Sequence, residues 1–458
     1  MLYFILRLIA QIALRVFFRR IQVKHRERLP RKGPMLVVSN HPNTFMDPLL
    51  LASLLRPQVY FMANASIFNT PLNRWLLRQL NMIPIQRKHD TNQQKFDNQH
   101  IFQKCYEFLG RKGTLMIFPE GTSIHARRLQ EIKKGTARIA LGAEEAHQFG
   151  LNLKIVTVGI NYSRPDGFRS EVFISVDEPI TVKDYQAEYE EDSFKAVETL
   201  TEAIREKIAA HIIITDNEAQ DTLAREIELI YKRQLSEEIQ LAEKTGEQAH
   251  LISKAIAEAV RYFAAKDLQR VERLRKQVKM YHRNLERLDL SDEVFSSKRR
   301  NKGLLGSSLG SLILLVLGLP LFLYGCLMNY VPYILPSRVA ARVVKWTDMY
   351  EYTAPVMMLT GIFTFPIFYF LLMLAASYAG LSGWGLFFYF LSLPLSGFFA
   401  LAYARFWVMV EDKSRLLAIF FRRASLVAEL VKQRQSLLKE FEKAKEEYQS
   451  FLLEKSPE

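Results

Sequence analysis

His41 and Asp47 are the residues of this sequence best suited to moving a proton. A neutral imidazole can take the proton of a hydroxyl while a carboxylate on its other nitrogen stabilises the imidazolium that forms. The pair lies in Ser39-Asn40-His41-Pro42-Asn43-Thr44-Phe45-Met46-Asp47-Pro48. Alone, it would equally suit a cap or a surface hydrogen bond. A second stretch with chemical capacity is Phe118-Pro119-Glu120-Gly121-Thr122-Ser123. Its carboxylate accepts hydrogen bonds from hydroxyls, its glycine admits close backbone approach, and its threonine adds a donor.

Both stretches follow short apolar runs, 35–38 and 114–118, which read as buried strands ending in loop chemistry. A helix-like run over 45–55 follows the first. Further strand-like runs lie at 59–62, 82–85, 154–160 and 172–176, with helical patterns at 71–80, 93–109 and 134–148. This alternation predicts an α/β domain over 29–180, a mixed or largely parallel sheet covered by helices. Loops at the strand ends would gather the chemical residues.

In this order and at this separation, the two stretches resemble the PlsC-type glycerolipid acyltransferase family, over roughly residues 25–180. The resemblance implies that His41 deprotonates an acceptor hydroxyl, which attacks an acyl thioester, with Asp47 as the partner carboxylate. Five residues, Pro42 to Met46, separate the two, where the common pattern has four. That spacing resembles the branch of glycerol-3-phosphate and dihydroxyacetone-phosphate acyltransferases, and it requires a bulged loop. Ile83-Pro84-Ile85-Gln86-Arg87 resembles the family's second motif, which makes Arg87 the candidate for the acceptor's phosphate. Asn40, Glu120, Gly121, Thr122 and Ser123 are implied to line the acceptor site. The basic stretch Arg127-Arg128 through Lys133-Lys134-Gly135 resembles the family's basic segment, and Lys134 becomes a phosphate candidate. Val156-Thr157-Val158 stands where the family has Val-Pro-Val, so an acyl-site role there does not carry over.

The implied activity is a membrane-bound O-acyltransferase using acyl-CoA or acyl carrier protein as co-substrate, with no metal and no other cofactor. The acceptor would be glycerol 3-phosphate or dihydroxyacetone phosphate, or alternatively lysophosphatidate. A metal-dependent phosphoesterase using His41, Asp47 and Glu120 would need more ligands than these loops supply. A catalytically inert membrane organiser that binds a protein partner is the non-enzyme alternative.

The rest of the 458-residue chain is organised around lipid rather than nucleic acid. Its formal net charge of +14 comes from basic residues that flank apolar segments. Two cysteines, Cys105 and Cys326, are too few for a disulfide framework. Residues 1–28 read as an interfacial amphipathic helix and linker, with Arg7, Gln11, Arg15 and Arg19 in one stripe and basic residues held near headgroups. A buried core helix is the other reading of that stripe. Residues 181–300 read as long charged helices, which could also pair two copies of the chain. Residues 301–410 hold three apolar segments, 303–335, 354–379 and 383–407, each long enough to enter a bilayer. Residues 411–458 read as a final charged helix. Basic clusters flank the first segment and follow the third. If all are cytoplasmic, with the active site, the first segment is a re-entrant hairpin turning at Pro320. Three full crossings are the plainer alternative.

Overall fold

The structure is a computed structural model and describes residues 2–56, 58–64, 69–79, 81–85, 98–238, 246–296 and 304–455. The chain forms two compact units, Met1–Ile214 with Ala340–Met358, and Thr215–Val339 with Leu359–Glu458.

The first unit is built on one mixed sheet. Its strands are β1 (Arg20–Lys24), β2 (Met35–Ser39), β3 (Val59–Asn64), β4 (Met82–Ile85), β5 (Thr114–Ile117), β6 (Lys154–Tyr162), β7 (Glu171–Val176) and the short β8 (Ile180–Thr181). They are ordered β1-β7-β6-β2-β5-β3-β4, with β8 pairing β6. β2 is central and all five of its residues are buried, as expected of an apolar run without alternation. It pairs in parallel with β5 on one side and β6 on the other. The segments leaving β2, β5 and β6 therefore emerge together at one end of the sheet, where α/β folds place their sites. β7 returns antiparallel beside β6.

The helices of this unit are α1 (Leu2–Phe17), α2 (Met46–Leu54), α3 (Pro71–Gln79), α4 (Asn98–Gly110), α5 (Gly135–Ala146), α6 (Gln186–Glu191) and α7 (Ser193–His211). Ala196, Leu200, Ile204 and Ile208 recur every fourth residue along α7 and join Leu36, Val38, Leu115 and Ile155 of the sheet in one core. The expected boundary at 180 is thereby corrected, because α7 belongs to the first unit. The linker expected over 20–28 also contains a strand. β1 pairs in parallel with β7 at the edge of the sheet, and none of its residues Arg-Ile-Gln-Val-Lys is fully buried.

α1 is amphipathic, with Arg7 and Gln11 of its polar stripe turned inward and Arg15 exposed. Arg7 donates to the carbonyls of Leu55 and Arg56, and Gln11 to that of Ser53 at 2.9 Å. The C-terminal carbonyls of α2 attract a cation. Phe4, Ile5, Leu8 and Ile12 are left exposed, the face an interfacial helix buries in lipid. Two arginines assigned to headgroups are paired in the protein instead, Arg19 with Glu171 and Arg28 with Glu178.

The second unit begins with α8 (Glu218–Glu238), α9 (Gly246–Lys266), α10 (Leu268–Arg287) and α11 (Glu293–Ser296), and ends with α15 (Ala424–Lys455). α15 packs back on α8, α9 and α10, with Phe441 against Tyr231 and Phe451 against Tyr262. Arg270 of α10 reaches both Glu440 and Glu447. Deeper in, the Arg434 guanidinium donates to both oxygens of Asp292 (2.9 and 3.1 Å), and the Tyr281 hydroxyl adds a third bond. The side chains of Arg434 and Asp292 are only 12% and 7% exposed. Removing one member of such a pair strands a buried charge at a cost of about 3–5 kcal/mol. Arg434→Met is therefore expected to lower the thermal midpoint of the full chain clearly, read by heat denaturation in detergent. A midpoint within a degree or two of the parent would mean that the pair contributes nothing.

Between these helices run α12 (Leu304–Thr347), α13 (Thr353–Tyr378) and α14 (Trp384–Arg422). All three are long and apolar enough to cross a membrane. α12 passes through Pro320, Pro332 and Pro336 as one helix, which corrects the turn expected at Pro320. Leu319 and Leu321 flank that proline and offer no turn chemistry. α14 also runs beyond the expected stop near 407 and ends at Arg422. Asn329 joins the three helices, donating to the carbonyls of Gly325 (3.0 Å) and Leu393 (3.1 Å) and accepting from the Tyr369 hydroxyl (2.5 Å). In hydrocarbon such an amide has to be satisfied by protein.

Candidate active site

The loop between β2 and α2 carries His41 at its start and delivers Asp47 in the first turn of the helix. Asp47 is fully buried and His41 is 18% exposed, with 2.8 Å between Nδ1 and Asp47 Oδ2. The carboxylate is satisfied on both oxygens. Oδ2 also accepts the Asn43 backbone N–H (2.7 Å), and Oδ1 accepts the Tyr162 hydroxyl (2.6 Å). An acceptor-only partner assigns the proton to Nδ1 and leaves the lone pair on Nε2. Among the described residues, Nε2 has no hydrogen-bond partner. The ring stacks on Phe118, centroids 4.1 Å apart, which fixes its plane. The extra residue between His41 and Asp47 is taken up by the turn at Asn43, whose carbonyl accepts from Met46.

The second stretch supports the first. Glu120 follows β5, is buried, and accepts the His41 backbone N–H on Oε1 (2.9 Å) and the Gln130 N–H on Oε2 (3.0 Å). Burial pushes its carboxyl up, while these two donors and His41 pull it back. Glu120 thus ties the histidine's backbone to the neighbouring loop. Glu120→Gln is expected to destabilise the protein by about 1–3 kcal/mol, because its amide group would face a backbone donor. An unchanged thermal midpoint would refute the tie.

The other expected site residues divide. Ser123 accepts the Thr44 N–H on Oγ (2.8 Å), and Ile124 donates to the His41 carbonyl (3.3 Å). Gly121 adopts φ 70°, a left-handed conformation that suits glycine. A Cβ there would lie 2.6 Å from Lys133 Nζ. Thr122 is exposed beside it. Asn40 uses both ends of its amide on β6, donating to the Ile160 carbonyl (2.9 Å) and accepting its N–H (2.8 Å). It holds the loop's start rather than offering groups to a ligand. Lys134 pairs with Glu198 of α7, and it is Lys133 whose ammonium reaches the Glu120-Gly121-Thr122 turn. Arg87 lies outside the described residues.

Two site residues escaped the sequence reading. Tyr162, at the end of β6, holds Asp47, and burial beside that carboxylate raises its phenol well above the usual range. A tyrosine ending a strand parallel to the His41 strand was the available signal. His125 follows Ser123, and its Nε2 is buried without a hydrogen-bond partner. Burial lowers its pKa against the opposing pull of Glu351, Asp166 and Asp47. Among the described residues, no group of three or more His, Cys, Asp or Glu is placed to hold a metal ion.

Residues 20–161 match the family described as Acyltransferase. Glycerol-3-phosphate O-acyltransferase 1 of Saccharomyces cerevisiae is 27% identical over 255 residues, 54% of this chain and 32% of its own length. Glycerol-3-phosphate O-acyltransferase 2 of that organism is 31% identical over 205 residues, 43% of this chain and 26% of its own. A chloroplastic 1-acyl-sn-glycerol-3-phosphate acyltransferase of Arabidopsis thaliana is 30% identical over 139 residues, 30% of this chain and 37% of its own. The chain thus spans well under half of the relatives it matches. The crystal structure of the 1-acyl-sn-glycerophosphate acyltransferase PlsC from Thermotoga maritima is similar at 22% identity and a TM-score of 0.31, over 43% of this chain and 77% of that one. The loops that set His41 against Asp47 and tie it to Glu120 lie within the stretch, residues 20–161, that matches the Acyltransferase family.

Proposed function

We propose that this protein is a membrane-bound O-acyltransferase of glycerolipid synthesis that acylates glycerol 3-phosphate. The observation that carries this reading is the His41 ring, held by Asp47 through Nδ1 and by Phe118 across its face, with Nε2 open to an acceptor. Nε2 takes the proton of the acceptor hydroxyl as its oxygen bonds to the thioester carbonyl carbon. The tetrahedral intermediate collapses, the carbon–sulfur bond breaks, and the imidazolium returns the proton to the departing thiolate. Asp47 holds the tautomer and stabilises the imidazolium, and a preorganised carboxylate does so without reorganisation. Lys133, against the Gly121 turn, supports an acceptor that carries a phosphate. Glycerol 3-phosphate is favoured because the similarity to the yeast glycerol-3-phosphate O-acyltransferases extends over 54% and 43% of the chain. The site would face the cytoplasm, since Arg338, Arg342 and Lys345 precede the connection between α12 and α13.

The similarity to the plant enzyme favours a second acceptor, lysophosphatidate. Purified protein in lipid, given labelled palmitoyl-CoA with glycerol 3-phosphate, dihydroxyacetone phosphate or lysophosphatidate in turn, decides between them. Product from glycerol 3-phosphate is expected. Product from lysophosphatidate alone would move the enzyme one acylation later, and acylation of none of the three would overturn the reading.

A further inference from the structure

The loop that carries His41 is anchored by several bonds. Some come from its own neighbourhood: Glu120 on the His41 N–H, Ile124 on the His41 carbonyl, Asp47 on the Asn43 N–H, Pro165 on the Asn43 amide and Ser123 on the Thr44 N–H. Another comes from 307 residues further along the chain. The Thr44 hydroxyl donates to the backbone carbonyl of Glu351 at 3.0 Å. Beside this bond, the Phe45 ring meets the Tyr352 ring, centroids 6.5 Å apart.

Glu351 and Tyr352 belong to the short connection, 348–352, between α12 and α13. This connection and its flanks, Ala340–Met358, form one compact unit with residues 1–214. Its ends are fixed by two helices long and apolar enough to cross a membrane. Around it, Trp346 is 86% exposed and Tyr350 is 70% exposed. Aromatic side chains of that kind settle at the level of lipid headgroups. The carbonyl on which Thr44 rests thus lies in the connection that directly joins α12 to α13.

We propose that the 348–352 connection is a positioning element for the His41 loop, acting through the Thr44–Glu351 bond and the Phe45–Tyr352 contact. Thr44 lies between His41 and Asp47, so a shift of its backbone changes the approach of one to the other. Displacements of an ångström at a reacting group cost up to about a hundredfold in rate. As a positioning residue, Thr44 affects the turnover step rather than the capture of a soluble acceptor. This inference rests on the acyltransferase reading for its kinetic part and on geometry alone for the contact.

The test uses the full chain in lipid nanodiscs. Thr44→Val, which keeps the shape and removes the hydroxyl, is expected to lower kcat by about tenfold to a hundredfold, with KM for glycerol 3-phosphate within about twofold. Thr44→Ser, which restores the hydroxyl, is expected to recover most of the rate. Separately, Thr44→Cys with Glu351→Cys is expected to be joined by a short bismaleimide in the membrane, without substrate. An active Thr44→Val protein, a loss that Thr44→Ser does not recover, or a loss confined to KM would overturn the proposal. So would the absence of cross-linking. If the parent acylates no acceptor, the functional reading fails, and the cross-link still decides the contact.

Discussion

His41→Ala is expected to lower the rate of acyl transfer by about 10²–10⁴-fold while leaving the fold in place. The backbone at this position is held by Glu120 and by the N–H of Ile124, and alanine keeps both bonds. What is lost is the lone pair on Nε2 and the ring that presents it. Initial rates with saturating acceptor, beside a melting curve of each protein, separate the two effects. A rate within tenfold of the parent, with an intact melt, would remove His41 from the role of base.

Asp47→Asn is the second large effect, and a compound one. The carboxylate receives the His41 Nδ1–H, the Asn43 N–H and the Tyr162 O–H. An amide in its place turns one acceptor into a donor facing donors, at about 1–3 kcal/mol of stability. The favoured histidine tautomer reverses as well, because Nδ1 can then accept from the amide and Nε2 would hold the proton. In a His–carboxylate system that reversal costs about 10⁴-fold. The same order of loss in kcat is expected here, with a lowered thermal midpoint. A fall in the midpoint without a matching fall in rate would make Asp47 a structural residue only. Tyr162→Phe removes one of the three donors and keeps the carboxylate, so its effect on rate should be far smaller.

The sheet could be read from the sequence because its inner strands carry their signal locally. Met35 to Val38 and Leu115 to Ile117 are apolar at every position and end in loop residues. β1 was missed because five residues with charges at both ends look the same in an edge strand and a linker. The run past Trp407 in α14 was missed because Glu411, Asp412 and Lys413 resemble an end, although nothing there breaks a helix. At the site, the residue types of His41, Asp47 and Glu120 could be read. The use of Glu120 could not, since a sequence shows a carboxylate but not which backbone donors it meets. Asn40 misled for the same reason, as an amide turned to Ile160 is written like one turned to a ligand. Glu351 contributes a carbonyl, which every residue has, so no pattern of side chains could mark it.

The return of α15 to α8, α9 and α10 has a consequence in simple counting. The charged helices before the three apolar segments and the charged helix after them share one interior, sealed by Arg434 on Asp292 and Phe441 on Tyr231. Two parts of a chain that pack together in water occupy the same side of any membrane between them. A path that leaves one side and comes back to it makes an even number of passages. α12, α13 and α14 are three by length and composition, so this packing favours a path in which two of them run from face to face.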